Sequence, residues 1–188
     1  MKRTMALLCG LLVAIGAGAV RADEYSDTVE LFQKAGESAD FFKHCYGYAV
    51  FPTVGKGGLV VGGAYGTGHV FREGAYIGDS SVIQLSVGFQ AGGQAYSQIV
   101  FFEDKRALDE FTTGDYAFGA DVNAVAITAA AGATAGTDGA SASASATERT
   151  ARTTGRYVKG MAVFTIVKGG AMYQAAVAGQ KFRFKPKK

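Results

Sequence analysis

The sequence contains few cysteines and histidines, the residues that form disulfides in small domains or bind metal ions. Of its two cysteines, Cys9 lies in an apolar N-terminal run, so only Cys45 remains if that run is removed. A single thiol cannot form an internal disulfide, and stability must then come from packing. His44 and Cys45 are adjacent and point in different directions on a helix or strand. Because His69 also lacks ligand spacing, we predict no metal, no other cofactor and a structural role for Cys45.

The motifs of common enzymes are also missing. The sequence has no G-x-S-x-G elbow and no P-loop, and Gly66-Thr67-Gly68 lacks the third glycine of a dinucleotide fingerprint. Most clustered acids fall on a predicted solvated helix: Glu103, Asp104, Asp109 and Glu110. A carboxylate pair such as Asp79 with Asp121 stays open, because the sequence does not give their separation. We therefore predict that the protein is not an enzyme.

The N-terminus has the order of a secretory signal peptide. Lys2 and Arg3 precede an apolar run over residues 5–20, and the small residues Val20 and Ala22 form an A-x-A-like site. The run is shorter and richer in glycine than a membrane-spanning helix of about 20 apolar residues. We expect residues 1–22 to be removed and residues 23–188 to form one domain in the periplasm or cell envelope, peripheral to the membrane.

Charge is distributed unevenly along the expected mature chain. Residues 149–188 contain ten Lys or Arg and no Asp or Glu, whereas residues 23–148 contain six basic and sixteen acidic residues. The two parts cancel, so overall charge predicts no partner, but the C-terminal part can act as a local basic surface.

Helical periodicity marks two regions. Apolar residues recur at three- and four-residue steps between Asp27 and Cys45, and Gly36 divides this region into two short helices. Asp27 with Glu30 fits an N-cap and its partner. Asp104 is the expected cap of a helix over Lys105–Phe111.

A period of two predicts strands over most of the remaining sequence. In residues 83–91, Ile, Leu, Val, Phe and Ala alternate with polar residues and glycine, as in a half-buried antiparallel strand. Other candidates are a strand from Tyr48 and strands over Gly58–Ala64, His69–Arg72, Tyr96–Phe102, Tyr157–Val167, Ala171–Val177 and Lys181–Phe184. Glycines concentrate between Gly55 and Gly93, which favours bends and close backbone approach.

The fold class predicted is mainly β (α+β). We expect an antiparallel, strongly bent barrel-like or sandwich sheet with N-terminal helices and one inserted helix. Residues 128–147 are nearly all Ala, Gly, Ser and Thr, and this composition fits either a loop or a pair of thin strands. The role of the Ala/Ser-rich part at 129–146 stays open.

Two segments resemble each other, since each consists of a strand-like run that ends in Lys-Gly-Gly. One runs over residues 50–58 and contains Lys56, and the other runs over residues 163–170 and contains Lys168. Free backbone N–H groups and a lysine can form an anion cradle at such a turn. The alternative is that both are tight turns with a solvated lysine.

Several glycine-rich blocks together resemble the SYLF domain family, in the order in which that family has them. They are Gly47-Tyr48-Ala49-Val50-Phe51-Pro52, Val54-Gly55-Lys56-Gly57-Gly58, Gly62-Gly63-Ala64-Tyr65-Gly66, Gly88-Phe89-Gln90-Ala91-Gly92-Gly93-Gln94, Phe118-Gly119-Ala120-Asp121 and Gly179-Gln180-Lys181-Phe182. The resemblance covers residues 30–184. It implies binding of anionic phospholipids or phosphoinositides and no catalytic activity. Eukaryotic members also bind actin, a partner that an exported chain would not meet.

The C-terminus indicates anionic ligands independently of this resemblance. Cations alternate with Phe182, Phe184 and Pro186, so an extended chain has one basic and one apolar face; the cations are Lys181, Arg183, Lys185, Lys187 and Lys188. Each cation contributes about 1 kcal/mol near an anionic bilayer. Alternatively, these charges only neutralise the acidic part of the domain. Export argues against nucleic acid as the partner.

These observations predict an extracytoplasmic protein that binds anionic phospholipid or a membrane surface through basic residues. The candidate site residues are Lys56, Lys168 and the five C-terminal cations. The alternative is a structural or scaffolding protein of the envelope that binds another protein through its sheet or N-terminal helix. The sequence specifies neither the lipid nor the oligomeric state.

Overall fold

The computed structural model describes residues 19–58, 61–87, 92–119, 124–127, 155–170 and 179–188. Three helices are present in these ranges: α1 (Ala19–Lys34), α2 (Gly36–His44) and α3 (Lys105–Thr112). The strands are β1 (Gly47–Gly58), β2 (Val61–Arg72), β3 (Ala75–Val87), β4 (Gly92–Phe102), β5 (Asp115–Ala117), β6 (Ala124–Ile127), β7 (Met161–Gly170) and β8 (Lys181–Pro186). The mainly β class with N-terminal helices and one inserted helix is confirmed.

The eight strands form one sheet in the order β5-β8-β3-β2-β1-β4-β7-β6. All neighbours are antiparallel except β6 and β7. The two-residue turn at Glu73 and Gly74 joins β2 to β3, and both residues have positive φ angles of 48° and 81°. This conformation suits the right-handed twist of a tight hairpin.

The sheet is strongly curled into a half-barrel. Phe51 of β1 and Phe182 of β8 lie in strands separated by β2 and β3. A flat sheet would place these strands about 14 Å apart, yet the two ring centroids are 5.6 Å apart. Gly68 of β2 allows this approach, because a Cβ there would lie 2.5 Å from Cδ1 of Phe51. We call the concave face that carries both rings the inner face, and the opposite one the outer face.

Helix α3 closes the inner face. Asp104 caps the helix as predicted, and its carboxylate accepts a hydrogen bond of 2.8 Å from the backbone N–H of Ala107. Ala107, Leu108 and Phe111 are buried. The Phe111 ring lies 5.0 Å from that of Phe182 and 4.9 Å from that of Phe102, so this one helix packs against both halves of the curled sheet.

Helices α1 and α2 cover half of the outer face. Phe32 of α1 and Phe41 of α2 pack with β1, β4 and β7, in a cluster that contains the fully buried Phe101 and Phe164. The break between the helices is at Ala35, beside the predicted Gly36, and the Ser38 hydroxyl donates to the carbonyls of Phe32 and Ala35. The predicted division into two helices is therefore confirmed.

Three predictions differ from the structure. Asp27 lies inside α1 rather than at its N-cap, since the helix begins at Ala19. Residues 58–64 are not one strand, because β1 ends at Gly58 and β2 begins at Val61. Residues 83–87 of the strand predicted at 83–91 form the end of β3, but Ile83 and Leu85 face outward and Val82 is buried; residues 88–91 lie outside the described residues. Predictions for residues 1–18, 128–147 and 171–177 lie outside the described residues.

Cys45 is a free thiol at the junction of α2 and β1. It is half-buried, its Sγ lies 4.0 Å from the carbonyl oxygen of Phe42, and burial raises the pKa of the thiol. A raised pKa leaves less thiolate, which is the nucleophilic form. These features agree with a packing role.

Truncating a covered and an uncovered side chain of the outer face should have contrasting costs. Phe101→Ala should lower the free energy of unfolding by about 3–5 kcal/mol, because the ring is fully buried among Phe42, Tyr48 and Phe164. Leu85→Ala is the matched control and should change it by less than about 0.5 kcal/mol, since Leu85 is 79% exposed. Denaturant unfolding measures both. Equal costs would contradict the burial of Phe101 beneath α1 and α2.

Candidate functional site

The half of the outer face formed by β2 and β3 exposes large apolar side chains. Tyr65 is 57%, Ile83 49% and Leu85 79% exposed. Tyr65 and Ile83 are direct cross-strand partners, and Leu85 lies two residues further along the same face of β3. Exposed apolar residues are ordinary when scattered, but a contiguous group on one sheet face is typical of an interaction site.

Strand β8 places cations beside these residues. Lys181 is the cross-strand partner of Ile83, and Arg183 is that of Ser81. Phe182 between them is buried on the inner face, which directs both cations outward. The predicted alternation of basic and apolar faces is therefore confirmed. We call the surface formed by Tyr65, Ile83, Leu85, Lys181 and Arg183 the outer patch.

A pocket of about 400 Å³ adjoins the outer patch where β3, β5 and β8 meet. Its lining combines the two cations with apolar and hydroxyl groups: Ser81, Ile83, Asp115, Tyr116, Ala117, Lys181, Phe182 and Arg183. Arg183 donates to Asp115 over 3.2 Å, and both side chains are highly exposed. Such an exposed ion pair is weak, so an incoming anion can compete for Arg183. No acid of the described chain lies within 4 Å of the Lys181 ammonium.

A larger groove of about 760 Å³ lies between α3 and β5. Its cations already have partners one helical turn away, since Lys105 pairs with Asp109 and Arg106 with Glu110. Although this groove is larger than the pocket at β8, its cations are less available to an external anion.

The two Lys-Gly-Gly segments do not form a common site. Both lie in strands rather than at turns, so neither the cradle at a turn nor the alternative of two tight turns describes them. Lys168 is on the outer face, donates to the hydroxyl of Thr53 over 3.0 Å and lies 3.8 Å from the carboxylate of Glu24. Lys56 is buried with 7% exposure on the inner face.

The remaining predicted cations extend the basic edge. Lys185 is exposed opposite Asp79, and the ammonium of Lys187 lies 5.4 Å from the ring centroid of Tyr76. Lys188 is exposed. The proposed pairing of Asp79 with Asp121 falls partly outside the described residues; Asp79 itself accepts a 2.6 Å hydrogen bond from Tyr76.

His69 forms a polar cluster near the first residues of α1. Its ring stacks on that of Tyr25, with 3.5 Å between centroids, and its Nε2 lies 3.4 Å from the Asp79 carboxylate. Burial lowers the pKa of His69, and the nearby charge of Asp79 opposes this shift only in part.

Within the described ranges, no group of three or more potential metal ligands occurs. No helix in the same ranges is long and apolar enough to cross a membrane. Sequence reasoning identified the cations of β8 but missed their apolar neighbours Tyr65, Ile83 and Leu85. The alternation at residues 83–91 places Ile83 and Leu85 on one face of a strand, but it favours burial of that face rather than its exposure.

Two comparisons relate the chain to known proteins. Residues 83–186 match the model of a family described as Ysc84, Las17-binding protein actin regulator. Beta cell expansion factor A of Aeromonas veronii is 26% identical over 157 residues, which cover 82% of this chain and 51% of that protein. The chain therefore spans about half the length of this curated relative. The family match extends from β3 to β8 and includes the β8 cations.

The lowered pKa of His69 predicts a pH dependence of stability. The folded pKa of His69 lies below the unfolded value of about 6.5, so its contribution to stability is complete above the unfolded pKa and is lost as pH falls from there through the folded pKa. The wild type should lose more stability between pH 7.5 and pH 5.5 than His69→Gln does, as measured by denaturant unfolding. His44→Gln, at an exposed histidine of α2, is the control. Equal losses in the wild type and His69→Gln would contradict the prediction.

Proposed function

The chain belongs to the Ysc84 (SYLF) family, and we propose that it is an extracytoplasmic lipid-binding protein that recognises anionic phospholipid. Members of this family are known for lipid binding. The observation that carries the proposal is the outer patch, where exposed apolar side chains and cations share one sheet face.

The outer patch has side chains that suit both the phosphate groups of a bilayer surface and the apolar region just beneath them. Tyr65, Ile83 and Leu85 can enter the interfacial region, where burial of a whole aliphatic or aromatic side chain contributes about 1.5–3 kcal/mol. Lys181 and Arg183 then lie at the level of the phosphates and contribute about 1 kcal/mol each. Several such contributions are sufficient for reversible docking.

Binding to an anionic membrane depends on how the protein is oriented, because the expected mature chain has equal numbers of acidic and basic residues. A protein without net charge gains no general attraction to an anionic surface, so attraction must come from a local patch. The alternative role of β8 is to neutralise acidic residues, and Arg183 does this by pairing with Asp115. This role does not apply to Lys181, which has no acid partner among the described residues.

Cosedimentation with vesicles tests the proposal. The purified protein should bind vesicles that contain anionic phospholipid, and Lys181→Gln/Arg183→Gln/Lys185→Gln should weaken binding sharply, because it removes both cations of the outer patch and the neighbouring Lys185. Added salt should have the same effect, since exposed charges are screened. Ile83→Ser/Leu85→Ser should also weaken binding, but with less dependence on salt. These exposed substitutions should leave the thermal transition nearly unchanged.

The matched control is Lys43→Gln/Lys105→Gln/Arg106→Gln, which removes three exposed cations from α2 and α3. It should bind vesicles like the wild type. Equal weakening by both triple variants would show that charge alone, rather than the patch, drives binding. Failure of the wild type to bind anionic or neutral vesicles would contradict lipid binding and favour the scaffolding role in the envelope.

Export is a separate part of the proposal and has its own test. The protein recovered from the envelope fraction should begin at Asp23, because Val20 and Ala22 supply the small residues of the cleavage site. Intact-mass measurement determines this directly. A mass that retains residues 1–22 would contradict cleavage.

A further inference from the structure

Lys56 and Gln94 form a polar pair inside the half-barrel. They are direct cross-strand partners on β1 and β4, and Lys56 also pairs with Ala64 of β2. Both side chains are buried, with exposures of 7% and 4%. The next residues on the same face, Val54 and Tyr96, belong to the apolar core, so the polar pair lies at the boundary of that core.

The polar atoms of this pair lack protein partners. Neither Nε2 nor Oε1 of Gln94 has a hydrogen-bond partner. Among the described residues, no ion pair or hydrogen bond involves the Lys56 ammonium. Burying an amide without hydrogen bonds is costly. Such groups in a native structure call for a specific explanation.

Another set of polar residues on the same face shows the usual solution. Gln98 and Gln180 are fully buried and exchange hydrogen bonds of 2.9 Å and 3.1 Å. The Gln180 amide also donates to the hydroxyl of Tyr96 over 3.0 Å. This fold therefore satisfies buried amides where both partners come from the chain. Lys56 and Gln94 depart from that pattern, although Gln94 is only two residues from Tyr96.

We propose that Lys56 and Gln94 form an internal site for an oxyanion, either a carboxylate or a phosphate. The ammonium supplies a charge and donors, and Nε2 of Gln94 supplies a further donor, so one oxyanion would satisfy both groups. A charge-assisted hydrogen bond of this kind is stronger than one between neutral groups. The site lies on the face opposite the outer patch and does not depend on the proposed docking to bilayers.

Calorimetric titration of the purified protein tests this site with two probes. Inorganic phosphate represents a free anion, and decanoate below its micellar concentration represents the head group of an amphiphile. The wild type should bind at least one probe, and which one binds identifies the source of the anion. Lys56→Met keeps the apolar stem but removes the charge, and should weaken that binding by at least about tenfold. Absence of binding of either probe to the wild type would overturn the proposal.

The melting temperature provides a second test, because the proposal predicts that it increases when the unpaired polar group is removed. Without ligand, Gln94→Leu should raise the melting temperature, because it removes a buried amide whose two polar atoms have no partner. A lower melting temperature would overturn the proposal, since the fold itself would then satisfy the amide. Lys168→Met, at the lysine with protein partners, is the control and should retain anion binding.

Gln94→Leu extends the test if Lys56→Met does not fold. It removes the second donor and should also weaken anion binding, whereas undiminished binding would overturn the assigned site. Vesicle binding separates this proposal from the preceding one. Lys56→Met and Gln94→Leu should sediment with anionic vesicles like the wild type, since both residues are buried away from the outer patch.

Discussion

The contact between Phe51 and Phe182 constrains the rest of the structure. These rings meet although two strands separate β1 from β8, so the sheet has to curl. Gly68 makes the contact possible, because any side chain there would overlap the Phe51 ring. Curling gives the inner face a volume that one short helix can fill, and Phe111 of α3 completes the cluster against Phe182. The protein thus builds its core on aromatic rings, with Cys45 as a free thiol.

The same contact orients the candidate site. Successive side chains of a strand point to opposite faces, so burying Phe182 on the inner face directs Lys181 and Arg183 outward. Pairing of β8 with β3 then places Lys181 beside Ile83. Helices α1 and α2 cover the outer face over β1, β4 and β7, and the part formed by β2 and β3 keeps its apolar side chains exposed. The composition of the outer patch therefore follows from the packing of the core.

Most features that depend on neighbouring residues were predictable from the sequence, the N-cap at Asp27 excepted, whereas features set by strand order were not. The cap of α3 needs only Asp104 and the residues after it, and the two faces of β8 follow from its alternation. The alternation around Ile83 also showed which residues share a face. A period of two does not specify which face of a strand is buried. The apolar content of the face with Ile83 and Leu85 favoured its burial, but that face is exposed. Pairing of Val82 with Phe182 decides the question, and the sequence gives no sign of that pairing.

The two Lys-Gly-Gly segments show why a shared motif does not imply a shared role. The register of β1 shifts between Val50 and Thr53, and the pairing of β7 with β4 shifts next to Tyr96. Each irregularity changes which residues reach the inner face. The shift in β1 brings Lys56 inside, where it has no protein partner among the described residues, whereas Lys168 lies outside with protein partners, two residues after the outward Ile166. The Gln94 amide beside Lys56 is buried without a partner for either polar atom, and such a group calls for a specific explanation, so the proposed anion site lies at the inner segment.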